Sequence, residues 1–168
     1  FTREDVIHTL DIFSEIKLGK GVISCADTPG FLANRVGVFA IQCALHTAFK
    51  LGLSPTEADA FFGRPLGLPK TGIFGLYDLI GIDLMADVVK SLVNILPEND
   101  AFHKFSSPIE LMTSMIANGQ TGNKNNKGFY KGDGQEKQVI NLQNGKYINY
   151  KRLKSSLLEE TEREGIKA

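Results

Sequence analysis

From Phe31 to Leu51 the chain runs twenty-one residues with no proline and a single glycine, Gly37, and glycines stand at both ends of the run, Gly30 and Gly52. Across it Phe31, Leu32, Val36, Phe39, Leu45, Ala48 and Phe49 wrap widely around the helical period. So long an apolar helix is stable only at the centre of other packed elements. Asp27-Thr28-Pro29 supplies a start, with Thr28 able to cap and Pro29 suited to a first turn where its missing N–H is no loss; Gly52 supplies the stop. The pattern predicts a central helix buried on most of its circumference.

The flanking segments punctuate themselves in the same way. Residues 3–18 place Val6, Ile7, Leu10, Phe13, Ile16 and Leu18 at helix spacing opposite Arg3, Glu4, Asp11, Glu15 and Lys17, and Gly19 ends the pattern. Gly21–Ala26 has the profile of a short strand, which must pair either with a later hairpin or with a sheet outside this chain. Ser54-Pro55-Thr56-Glu57 is a capping box opening a helix through Phe62, and a glycine- and proline-rich segment runs from Gly63 to Gly72. Two helices, Phe74–Ile80 and Ile82–Leu96, are separated by Gly81, the second striped by Leu84, Val88, Leu92 and Ile95. Ser107-Pro108-Ile109-Glu110 repeats the capping-box pattern for a helix that Gly119 stops. Beyond Tyr130, Gln138–Leu142 and Tyr147–Tyr150 flank the turn pair Asn144-Gly145, a hairpin, and a charged helix is expected over Lys151–Glu164. The fold class predicted is all-α and multihelical, with a short helix–strand segment before it and a hairpin plus helix after it.

Composition narrows the partners. Lys and Arg together equal Asp and Glu, 19 each, so no average charge drives binding to nucleic acid or to an anionic membrane. No apolar run approaches the ~20 residues that cross a bilayer. Cys25 and Cys43 sit among apolar neighbours without a second thiol at metal spacing, which reads as two buried free thiols in a reducing cytoplasm. The chain begins on Phe1 with a helical pattern almost at once, as expected of a piece of something longer.

Few residues carry chemistry. His8, His46 and His103 are scattered and form neither a zinc pattern nor a nucleophile triad, so no metal site is expected. The acidic residues fit caps and solvated helix faces. No GxGxxG follows a strand, so no dinucleotide site is complete in this chain. The informative string is Asp27-Thr28-Pro29-Gly30-Phe31-Leu32-Ala33-Asn34-Arg35. Asn is a poor helix-interior residue, and Asn34 reads either as a solvated residue near the helix start or as an amide projected toward a ligand. Gly37, one turn on, costs about 1 kcal/mol against Ala and leaves room for a close approach.

That string, followed by Leu66-Gly67-Leu68-Pro69, by Phe74-Gly75-Leu76-Tyr77-Asp78-Leu79-Ile80-Gly81-Ile82-Asp83, and by Asn123-Lys124-Asn125-Asn126-Lys127-Gly128-Phe129-Tyr130, resembles the C-terminal domain of 3-hydroxyacyl-CoA dehydrogenases in order and spacing. The resemblance implies a helical domain like that of 6-phosphogluconate dehydrogenase, closing over an acyl-CoA bound beside an N-terminal Rossmann domain that holds NAD, and often forming a homodimer. It implies that the His-Glu base and its assisting Ser belong to that other domain, and that Asn34 helps position the substrate near its reacting carbon. Phe31, Gly37 and Phe74 would line the substrate cleft. Residues 1–26 would be the end of the Rossmann domain, 27–131 the helical domain, and 132–168 a connection to a following unit. The Gly67-Leu68-Pro69-Lys70-Thr71-Gly72 loop resembles that of long multifunctional members fused to an enoyl-CoA hydratase. Asn125 and Asn126 stand where the family has an additional glycine, and Asn tolerates a left-handed backbone. The function implied is oxidation of 3-hydroxyacyl-CoA in fatty-acid β-oxidation in the cytoplasm. Two other readings stay open: a helical dimerisation module without catalytic part, or the equivalent domain of another β-hydroxy acid dehydrogenase.

Overall fold

Helix α1 (Glu4–Ile12) opens the chain in the computed structural model, which describes residues 2–63, 66, 67 and 69–150. A π-helical turn, Phe13–Lys17, extends it to Gly19 at φ 62°. The amphipathic pattern forms, yet none of its residues is buried, and Leu10, Phe13 and Ile16 are 55 %, 50 % and 71 % exposed. Residues 19–26 hold no secondary structure. The strand expected over Gly21–Ala26 is therefore absent, because no strand among the described residues offers it a ladder, and Cys25 is exposed rather than buried.

Helix α2 covers Ala33–Leu51 and starts later than its sequence predicts. Thr28 caps nothing: Gly30 and Phe31 both take left-handed backbone, φ 81° and 48°, closing a turn in which the Phe31 N–H donates to the Thr28 carbonyl at 2.9 Å. That turn prevents a helix from running on from Pro29. The circumference prediction also needs correcting, since Ala33, Asn34 and Val36 are exposed and burial begins at Val38, continuing through Gln42, Ala44, Leu45 and Ala48. Gly52, at φ 66°, ends the helix as expected.

Ser54 and Glu57 form the reciprocal capping box of α3 (Pro55–Phe61), the Ser54 N–H donating to Glu57 Oε2 at 2.9 Å. Helices α4 (Phe74–Ile80) and α5 (Ile82–Ile95) meet at Gly81, whose φ of 112° suits glycine alone. Helix α5 turns Ile82, Met85 and Leu92 inward, whereas Leu84 and Ile95 of the expected stripe are about half exposed, at 51 % and 50 %. A 3-10 turn, Ala101–Phe105, follows. Helix α6 (Glu110–Ala117) begins without a side-chain cap, so Ser107 does not make the box its spacing promised. The hairpin is present as β2 (Gln138–Ile140) and β3 (Tyr147–Asn149), joined by a short strand missed in the sequence, β1 (Tyr130–Lys131), in an antiparallel β1-β2-β3 sheet. The charged helix expected over Lys151–Glu164 lies outside the described residues.

Phe74, Tyr77, Phe102 and Phe129 anchor the core, all at 1 % exposure or less. Phe74 meets Phe129 edge-on at 4.7 Å, and Tyr77 meets the same ring at 6.2 Å. Two carboxylates lie inside this packing rather than on solvated faces. Asp59 of α3 accepts the N–H groups of Phe74 and Gly75 at 2.7 and 3.0 Å, capping α4 from a distance in sequence, and also accepts the Tyr130 hydroxyl at 2.7 Å. Asp78 of α4 accepts the N–H groups of Phe129 and Tyr130, each at 2.8 Å. The two motif strings of the helical domain are thus held together by two carboxylates, Asp78 buried and Asp59 half-buried.

Burial outweighs these donors and pushes both acids up to about 6. A carboxylate whose pKa is raised on folding binds its proton more tightly in the native state. Its contribution to stability is therefore greatest below the unfolded value and is lost as pH rises through the folded one, here between pH ~4 and ~6. Other acids, Asp83 and Asp100 among them, are held below the usual range and destabilise the fold only at lower pH. Unfolding in urea should give a higher stability at pH 5 than at pH 7.5, by about 1 kcal/mol for each of the two acids, because roughly half of the ~3 kcal/mol carried by a shift of this size is already lost by pH 5. A flat profile between those pH values would contradict the burial argument.

Candidate functional site

The turn that delays α2 also sets its first residues apart. Phe31 is 59 % exposed on the left-handed turn, and Asn34 is the second residue of the helix, exposed, with no hydrogen-bond partner for its amide among the described residues. Gly37 stands one turn further along, and a Cβ placed there would meet no atom within 4 Å. Phe31, Asn34 and Gly37 therefore occupy successive positions along an open stretch of backbone. Phe74 does not join them: it is fully buried against Phe129 and Phe49, so the structure places it in the core.

What fixes this stretch is Arg35, which the sequence reading passed over. Its Nη2 bridges both carboxylate oxygens of Asp100 at 2.5 Å, and its guanidinium lies over the rings of Phe39 and Phe102, 5.9 and 5.7 Å from their centroids. Asp100 in turn accepts the Phe102 N–H at 2.8 Å and so caps the 3-10 turn. That N–H first, and Arg35 second, hold the Asp100 carboxyl below the usual carboxylate range. Nothing local in the sequence links positions so far apart.

The chemistry available at the start of α2 is that of an amide. Asn34 can donate to an oxygen and accept from a neighbour, but it does not titrate, so it can orient a substrate and cannot take its proton. Among the described residues no group of three His, Cys, Asp or Glu side chains could hold a metal ion. His103 Nε2 is 2.9 Å from the Pro97 carbonyl, and the His46 ring is pushed down by burial, its Nε2 without a partner. Away from Asn34, a cavity of ≈ 450 Å³ opens between α2, α5 and α6. Leu45, Val89, Val93 and Met112 wall it, and Gln42, donating to the Tyr77 hydroxyl at 2.9 Å, lies among its lining residues.

Residues 30–132, from the left-handed turn through β1, match the family model described as 3-hydroxyacyl-CoA dehydrogenase, C-terminal domain. The chain belongs to this family. It is 41 % identical over 149 residues to a Rickettsia prowazekii protein assigned as a fatty acid oxidation complex trifunctional enzyme, an alignment that takes in 86 % of this chain and 21 % of that protein. Its fold is similar to that of FadB2 from M. tuberculosis, with a TM-score of 0.63 and 25 % identity over 79 % of this chain and 44 % of the other. A (S)-3-hydroxybutyryl-CoA dehydrogenase, PaaH1 from Ralstonia eutropha, superimposes with a TM-score of 0.60 at 29 % identity, covering 76 % of this chain and 42 % of that one. The chain thus spans about a fifth of the curated relative's length and under half of the solved ones.

Within this 3-hydroxyacyl-CoA dehydrogenase C-terminal domain, the motif strings divide by role. The strings around Asp78 and Gly128 send Phe74, Tyr77, Asp78, Gly128 and Phe129 into the core, while the string ending in Asn34-Arg35 presents the Asn34 amide at an exposed helix start. No parallel sheet and no glycine-rich strand–turn–helix occurs among the described residues.

Proposed function

We propose that this chain is the substrate-closing and dimerising domain of an NAD-dependent 3-hydroxyacyl-CoA dehydrogenase of fatty-acid β-oxidation, working in the cytoplasm. The cofactor and the acid–base pair belong to a dinucleotide-binding domain outside the described residues. The observation that carries the reading is Asn34: a free, exposed amide in the first turn of α2, within the family stretch, held beside a glycine that leaves space. In this reading the amide donates to the 3-oxygen of an acyl-CoA thioester and fixes the reacting carbon, while Phe31 and Gly37 border the cleft. The exposed apolar side of α1 supports the same reading, since Leu10, Phe13 and Ile16 would be covered by the rest of the dinucleotide-binding domain.

Supplying that partner domain tests the proposal. The chain alone should show no turnover of acetoacetyl-CoA with NADH, and the chain joined to the dinucleotide-binding domain of the same enzyme should show it. Turnover by the purified chain alone, free of contaminating enzyme, would remove the division of labour on which the proposal depends.

A further inference from the structure

We propose that Arg35 is a positioning residue for the reaction, holding Asn34 in register through its pairing with Asp100; the inference rests on the reading of Asn34 given above. Helix α2 has no side-chain cap at Leu32, and the two residues before Leu32, Gly30 and Phe31, are in left-handed conformation. An uncapped first turn frays, because its N–H groups lack partners inside the helix. An amide riding on a fraying turn would sweep past a substrate oxygen rather than meet it.

Arg35 removes that freedom from the neighbouring position. Its backbone N–H donates to the Gly30 carbonyl at 3.3 Å, closing the left-handed turn onto the helix. Its side chain reaches the other way, to Asp100, a residue 65 positions along the chain. Asp100 is itself tied to the N–H of Phe102, which is fully buried. The first turn of α2 is therefore anchored to the core through one guanidinium, and the planar group is wedged over two rings that limit its tilt. Gly30 completes the arrangement: a Cβ there would come into contact with the Arg35 N and with Leu92 Cδ2, both at 3.4 Å, so the turn sits close against α5.

The arginine side chain is already engaged by Asp100 and the two rings, so it acts through its neighbour rather than on substrate. Displacing a positioning group by about 1 Å can cost on the order of 100-fold in rate. Arg35→Met keeps the apolar stem over Phe39 and Phe102 and deletes the fork. In the complete dehydrogenase, with its dinucleotide-binding domain, this variant should lower kcat about 10- to 100-fold with little change in KM. Asp100→Asn should do the same, and the two should not add.

The deciding measurement is the cycle with Asn34→Ala. If Arg35 works through Asn34, Arg35→Met should cost nothing further, within about 2-fold, once Asn34 is alanine. The same fractional loss in both backgrounds would mean that Arg35 only keeps the domain folded, and would overturn the inference. A damaging Asn34→Ala beside a harmless Arg35→Met would overturn it alone and leave the proposed function standing. Wild-type rates for Asn34→Ala would remove both.

Discussion

Replacing Gly128 with alanine should unfold this domain, although the change adds one methyl group. The new Cβ would lie 2.0 Å from Asp78 Oδ1, 2.5 Å from its Cγ and 2.7 Å from the Gly122 Cα. None of these atoms can retreat. The Asp78 carboxylate is held by the Phe129 and Tyr130 N–H groups at 2.8 Å, and it projects from a helix whose Phe74 and Tyr77 are wedged against Phe129. Gly122 is pinned from its own side, since a Cβ there would sit 2.4 Å from the Asp78 carbonyl oxygen. Overpacking costs about 1–3 kcal/mol, and pushing the carboxylate off two buried N–H groups costs about 1–3 kcal/mol for each. The sum approaches the ~5–15 kcal/mol that separates folded from unfolded domains. Urea unfolding followed by circular dichroism should show little folded protein. Gly37→Ala is the internal control, because its Cβ meets open space and the helix gains about 1 kcal/mol. A Gly128→Ala protein that melts alongside wild type would mean that the carboxylate is free to move.

Asn34→Ala should lower the turnover of the complete dehydrogenase by roughly 10- to 1000-fold, the range for losing one preorganised donor to an oxygen that gains charge. The structure makes this variant clean. Asn34 is exposed and its amide bonds to no described residue, so alanine at that position leaves no unpaired group and should favour the helix slightly. Asn34→Asp should be at least as damaging to rate, because it keeps the shape but replaces the donor with a negative charge beside the reacting oxygen. Stability should move the other way, since an acidic side chain in a first turn interacts favourably with the helix dipole by about 0.3–1 kcal/mol. Loss of rate with unchanged or raised melting temperature in the aspartate variant therefore separates chemistry from folding. If both variants turn over at the wild-type rate, Asn34 has no part in the reaction and the domain serves only as lid and dimer scaffold.

The parts of this structure that were legible in the sequence are those whose cause lies within a few residues. Gly52 ends α2 and Gly81 separates α4 from α5, because each takes a positive φ that the next turn requires. The Ser54–Glu57 box closes on itself, and the hairpin follows from Asn144-Gly145, the Asn144 side-chain oxygen accepting the Lys146 N–H and Gly145 lying at φ 69°; Asn141, expected within the first strand, instead accepts the Gln143 and Asn144 N–H groups in the turn. Asn34 stood out for a similar reason, as a poor helix former next to a helix start.

Where local cause gave out, so did the reading. Thr28 and Ser107 carry the chemistry of caps but do not cap, because tertiary packing set the turns before α2 and α6. Gly21–Ala26 has strand composition but pairs with no strand among the described residues. The acids at 59 and 78 look in sequence like any helix-surface aspartate; each becomes a clamp within the packing only because the chain returns Phe74, Phe129 and Tyr130 from 15, 51 and 71 positions away. Arg35 and Asp100 are likewise ordinary charges until α2 and the 3-10 turn are brought together. Turn and cap preferences are short-range energies, so the sequence alone determined where most helices stop and that a hairpin closes the described chain. Burial of a charge depends on which donors arrive from elsewhere, and only the tertiary structure decides that.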